Sequence, residues 1–97
     1  MKKRNKSIVQ NDMSHCFVCY ARGNLHIHEI FFGNANRKKS IEHDLYVSLC
    51  PRHHTASNDG VHHNKALDLR LKKIGQAAFE KTHTREAFMQ IFGRNYL

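Results

Sequence analysis

The sequence predicts a small α+β domain in which two short strands are followed by helices. Three observations carry this expectation. Polarity alternates from Leu25 to Phe32 and again over about Leu45 to Leu49, apolar residues recur at helical spacing beyond residue 60, and Cys16, Cys19, Cys50, His53 and His54 fall where a fold can gather them. Ninety-seven residues make one domain by length. A core of that size rarely supplies more than about 3 to 5 kcal/mol, so small domains commonly draw on disulfides or a bound metal.

Residues 1–14 begin with Lys2, Lys3, Arg4 and Lys6 and turn polar through Gln10, Asn11 and Asp12, which reads as a flexible basic arm preceding a folded domain over 15–97. Cys16 and Cys19 bracket Phe17 and Val18, and Gly23 with Asn24 makes a turn into the first strand. Gly33 to Ser40 reads as a polar, basic loop, so the two strands pair as a hairpin with a long connection. Pro51 suits the first turn of a short helix over Arg52 to Ser57, which Asn58, Asp59 and Gly60 break. A longer helix is expected from Val61 or His62 to Lys81, with Leu67, Leu71, Ile74 and Ala78 on one face. Thr84 is the N-cap of a last helix carrying Phe88, Ile91 and Phe92 and ended by Gly93.

Sixteen Lys and Arg against eight Asp and Glu give a net charge of +8, with nine histidines besides. That balance favours a polyanionic partner, of which nucleic acid is the commonest. Few aromatic residues stand among the basic ones, which argues against a base-stacking platform. An odd cysteine count, a CxxC pair and no signal peptide argue for a reducing, cytoplasmic setting rather than a disulfide scaffold. No apolar run approaches the roughly 18 residues of a membrane span.

Two thiolates from the CFVC turn need a second pair of soft or borderline ligands to complete a zinc site, and Cys50 with His53 has the right spacing. His54 can take the place of His53, and the plain alternative is three cysteines that only pack. The remaining His26, His28, Glu29, His54, Asn58, His62 and His63 exceed what a structural zinc uses, and a second metal accounts for them. Asn58 lies four residues after His54, on the same face if the helix continues.

Strand, loop, strand and helix, with His28 near the end of the first strand and CPRHH at Cys50 to His54, resembles the HNH endonucleases and their ββα-metal core, here with a zinc knuckle and C-terminal helices. The run from His28 through Phe31, Phe32, Gly33, Ala35, Asn36, Arg37, Lys38 and Ser40, then LCPRHH, then Gly60, Val61, His62 and Asn64, is similar to phage-encoded relatives of the Ref recombination-enhancement nucleases. The resemblance implies hydrolysis of DNA phosphodiesters with Mg2+ or a similar ion, in cooperation with a RecA filament. It implies His28 and His54 as ligands of that ion and Asn36 or Asp44 as the residue that fixes the loop, while Asn58 by its spacing, and His62 and His63 by their closeness in sequence, compete to be a further ligand.

At the position where the family carries its general-base histidine this chain has Glu29, a base about two pKa units weaker when free. Glu29 then orients or deprotonates water, or joins His28 as a ligand and leaves the base role to His28 or His26, or marks a chain that binds DNA without cutting. Arg37, Lys38, Lys39, Lys72 and Lys73 are the candidates for gripping flanking phosphates. The rival classes are a non-catalytic zinc-stabilised nucleic-acid-binding module and a small interaction protein that uses zinc only to fold.

Overall fold

A computed structural model describes residues 6–97. Two strands, β1 (His26–Glu29) and β2 (Tyr46–Leu49), pair antiparallel, with His28 opposite Val47 and Glu29 opposite Tyr46. Helix α1 (Asn36–Glu42) lies between them in the chain, a π-helical turn (Arg52–Ala56) follows β2, and α2 (Lys65–Phe79) and α3 (Arg85–Phe92) complete an α+β fold. All four residues of β2 are buried, which makes it the central element although it has only one strand partner.

The connection expected as a polar loop over 33–40 contains α1 instead. Arg37, Lys38, Lys39 and Glu42 are good helix formers, but Ile41 is its only large apolar residue, so no 3.6-residue period shows. Tertiary contacts settle it. Ser40 Oγ donates to Phe31 O at 2.6 Å and accepts from Phe31 N at 3.0 Å, which ties α1 to the chain just after β1. The same tie explains why β1 ends at Glu29 rather than Phe32: Ile30 and Phe31 leave the strand and turn into the core.

Of the basic arm expected over 1–14, Lys2, Lys3 and Arg4 lie outside the described residues. From Ser7 onward the segment covers the open edge of β2. Ile8 N donates to Asp44 O at 2.9 Å, Ser48 N donates to Gln10 Oε1 at 2.7 Å, and Phe17 N donates to Ser48 O at 2.8 Å. Gln10 Nε2 in turn donates to the carbonyls of Asp12 and His15 at 2.9 and 2.8 Å. A side-chain amide thus stands in for a third strand and satisfies a backbone group that an edge would leave bare. Gln10→Ala leaves Ser48 N unpaired in a buried setting, and equilibrium unfolding is expected to show a loss of about 1 to 3 kcal/mol.

The last two helices form as the capping residues dictate. Thr84 Oγ1 accepts from Ala87 N at 3.1 Å to open α3, and Gly93, in the left-handed conformation (φ 76), closes it. Helix α2 starts later than the apolar spacing suggests, because Asn64 Oδ1 accepts from Leu67 N at 3.1 Å and makes Lys65 the first helical residue. Phe31, Phe79, Phe88 and Phe92 pack behind the hairpin, with Phe31 and Phe92 ring centroids 4.6 Å apart and Phe88 and Phe92 4.8 Å apart. This cluster fixes the end of β1, and so the placement of His28. Among the described residues no helix is long and apolar enough to cross a membrane.

Candidate metal centres

Two groups of metal-capable side chains lie side by side, joined through the π-helical turn. The first is Cys16, Cys19, Cys50 and His53, whose ligand atoms all lie within 4.8 Å of one another. Cys19 and Cys50 Sγ are 3.7 Å apart, and His53 Nδ1 is 3.3 Å from Cys50 Sγ and 3.9 Å from Cys16 Sγ. A tetrahedral ion with metal–sulfur bonds of about 2.3 Å and metal–nitrogen bonds of about 2.0 to 2.1 Å sets sulfur pairs about 3.8 Å apart and sulfur–nitrogen pairs about 3.5 Å apart. The observed spacings bracket those edges, so the four residues are close enough to hold a metal ion, and His53, not His54, completes the set.

Burial pushes the Cys16 thiol up, but the backbone groups of Cys50, Cys19 and Val18, with the Cys19 side chain, outweigh it and bring the thiol down to about 6. A thiolate is the form that binds metal. Cys50 is pushed up instead, by burial first and then by the neighbouring Cys19 and Cys16. The same turn that favours one thiolate thus resists the accumulation of a second without a cation to balance it.

The second group is His28, His54 and His62, again with ligand atoms within 4.8 Å. His28 points inward from β1 at 2 % exposure, and its Nε2 is buried with no hydrogen-bond partner among the described residues. His54 follows His53 on the π-helical turn, a geometry frequent at functional sites. His62 arrives because the chain doubles back: Val61 N donates to His53 O at 2.8 Å and His62 N to His54 O at 3.4 Å. His54 and His62 Nε2 then stand 3.3 Å apart, close to the roughly 3.4 Å edge of two imidazoles on one tetrahedral ion.

Burial holds the His28 imidazole down at about 3, with His54, His62 and Lys72 adding to it. His54 is also lowered, by burial and then by His62 and His26, against an opposing pull from Glu29. Neutral imidazoles are the ligand form. The exposed His26 meets the group from the rim, its Nδ1 3.0 Å from His54 Nδ1. Such a contact fixes the tautomer of a ligating histidine from behind.

Compared with protein-family models, with curated proteins and with solved structures, the chain finds no match in any of the three.

Glu29 belongs to neither ligand group. Its carboxylate is largely buried and accepts from Arg37 Nε at 2.7 Å. Asn36 is the first residue of α1, and Asp44 occupies the left-handed turn before β2 (φ 59), a conformation a short polar side chain tolerates. The spacing that paired Asn58 with His54 does not hold, because the helical turn ends at Ala56 and Ser57 is extended (φ −150, ψ 175), leaving Asn58 exposed on the following turn. His63, next to His62, stands outside both groups.

Of the cations expected at phosphates, Lys38 and Lys73 are exposed and Arg37 keeps 62 % of its side chain exposed while bonded to Glu29. Lys39 Nζ donates to Ile91 O at 2.6 Å. Lys72 Nζ pairs with Asp68 at 2.9 Å and sits 4.5 Å from the centre of the Phe32 ring, which itself contacts His28 and His62.

Gly60 makes the return of the chain possible. A Cβ there meets His54 O at 2.7 Å and Ser57 O at 3.1 Å, both backbone atoms with no rotamer to yield. Gly60→Ala is expected to move the 60–62 segment off the π-helical turn, cost about 1 to 3 kcal/mol, and weaken metal binding at the histidine group while leaving the cysteine group loaded. Metal titration followed by elemental analysis distinguishes the two sites.

Proposed function

We propose that this chain is a metal-dependent DNA endonuclease of the HNH type, held together by a structural zinc at Cys16, Cys19, Cys50 and His53. One observation carries the reading: three imidazoles converge beside the hairpin, and the buried Nε2 of His28 has no hydrogen-bond partner among the described residues. An orphaned buried nitrogen costs about 1 to 3 kcal/mol, and a divalent ion removes that cost. His28, His54 and His62 would hold a divalent ion of the kind imidazole suits, such as Ni2+ or Zn2+, which would supply Lewis acidity to a phosphate oxygen and balance charge on the leaving oxygen.

The chain's own residues supply the rest. His26 orients His54 through their Nδ1 contact, and Lys72, steadied by Asp68 and Phe32, places a cation beside the histidines where a phosphate would sit. Lys38, Lys73 and the exposed part of Arg37 offer contacts to flanking phosphates. Glu29 stands at the base position of the resembled family, yet its carboxylate is engaged by Arg37 and it belongs to neither ligand group. Cleavage on this reading leans on the ion and the surrounding cations, and it is slow.

The same ion pair favours a second reading, a zinc-stabilised module that binds nucleic acid without cutting it. A plasmid-nicking assay with Mg2+, Mn2+ and Ni2+ separates the two. Nicked or linear product in at least one ion, abolished by a chelator, is the expected result. Intact plasmid under every ion, with and without a RecA filament, sinks the nuclease reading and leaves the module. Acceleration by the filament supports the recombination-linked, phage-encoded setting that the resemblance implies.

A further inference from the structure

Tyr20 occupies a position that suits glycine. The knuckle turn closes with Tyr20 N donating to Cys16 O at 2.9 Å and Cys16 N to Ala21 O at 2.8 Å, and this puts Tyr20 in the left-handed region at φ 65. A residue with a Cβ gives up about 1 to 2 kcal/mol there. Burial does not account for the choice, because 69 % of Tyr20 is exposed. Its ring stacks on His15 instead, with centroids 4.5 Å apart and planes 19° from parallel. That stack gives the exposed ring a fixed orientation.

Tyr20 also forms one wall of a cleft of about 280 Å³ between the knuckle and α2, lined further by Phe17, Val18, Leu67, Arg70 and Ile74. An adjoining cleft of about 390 Å³ shares Val18, Leu67 and Arg70 and adds Arg52. Arg52 is paired with Asp59 of the same cleft, which leaves Arg70 as the cation shared by both clefts, and Arg22 is held by Ser14 Oγ at 2.8 Å, next in the chain to the His15 that stacks on Tyr20. The arrangement is a flat aromatic lip over an apolar slot with a guanidinium group at its wall. A flat heterocycle joined to anionic linkages fits it; duplex DNA does not, because its base faces are already stacked.

We propose that this face of the knuckle binds single-stranded nucleic acid, with one unpaired base stacking at Tyr20 and the phosphates beside it meeting Arg70 and Arg22. The scarcity of aromatic residues among the basic ones in sequence is overcome by the fold, which brings His15, Tyr20 and Arg70 to one place. The site is separate from the histidine group and rests on a nucleic-acid partner, not on cleavage.

The test is equilibrium binding of a fluorescein-labelled thymidine oligomer to the 97-residue, zinc-loaded chain with no other divalent ion added, read by fluorescence anisotropy against a hairpin duplex. Tyr20→Gly and Arg70→Ala are each expected to weaken single-strand binding by roughly 5- to 100-fold, the span of a lost base stack or its phosphate contact, while Tyr20→Phe keeps it. Glycine suits φ 65, so Tyr20→Gly should unfold no earlier than the parent, and a lost fold does not explain its lost binding. Single-strand binding by Tyr20→Gly within about twofold of the parent, or a parent that prefers the duplex, overturns the proposal. An intact plasmid in the nicking assay with these binding differences preserved removes the nuclease reading alone.

Discussion

Removing the metal from the Cys16, Cys19, Cys50 and His53 group is expected to unfold the protein. Apparent zinc-binding free energies at such sites are about 10 to 16 kcal/mol, against the roughly 3 to 5 kcal/mol that a core of this size provides. The four ligands also join the knuckle before β1 to the turn after β2. Without the ion, burial first and then the neighbouring Cys19 and Cys16 push the Cys50 thiol up, against the thiolate form that a metal needs. Dialysis against a strong chelator should abolish the cooperative thermal transition, and readdition of one equivalent of zinc should restore it. Cys50→Ser should behave like the chelated protein. A chelated chain that keeps a cooperative transition contradicts the assignment.

His28→Ala and His54→Ala are each expected to lower cleavage by a factor of at least about 100, the scale on which removal of one group aimed at the developing charge acts. The fold should survive in both, since neither residue is a ligand of the cysteine group. His62→Ala should fall between them and the parent, because His62 is exposed and held by a returning loop. Glu29→Gln is the informative contrast. With its carboxylate given over to Arg37, its loss should change the rate by less than about tenfold, below the 100- to 10,000-fold typical of a general base. Cleavage that persists in both His28→Ala and His54→Ala places the activity elsewhere.

Much of the cysteine group is legible in the sequence because it depends on residue type and spacing rather than on packing. CFVC and CPRHH are short, local signals, and only the choice between His53 and His54 needed coordinates. The histidine group is legible in part. His28 and His54 follow from the resemblance, whereas His62 competes in sequence with His63 and Asn58, and what selects it is Gly60 allowing the chain back against His54 O. No local pattern shows that approach.

The N-terminal segment and α1 were hidden for a related reason. Gln10 finds Ser48, and Ser40 finds Phe31, through single hydrogen bonds across the fold, and neither leaves a periodic trace. Tyr20 was hidden by its neighbours: it reads as the residue after a cysteine pair until its φ and its exposure are seen together.

His53 and His54 are consecutive, yet one serves the cysteine group and the other the histidine group. The peptide bond between them ties the two centres together, so that a displacement of one is passed to the other. On the proposed reading, loss of the ion at the cysteine group is expected to loosen the turn that carries His54 and the loop that returns with His62, so that Cys50→Ser should weaken metal binding at the histidine group as well.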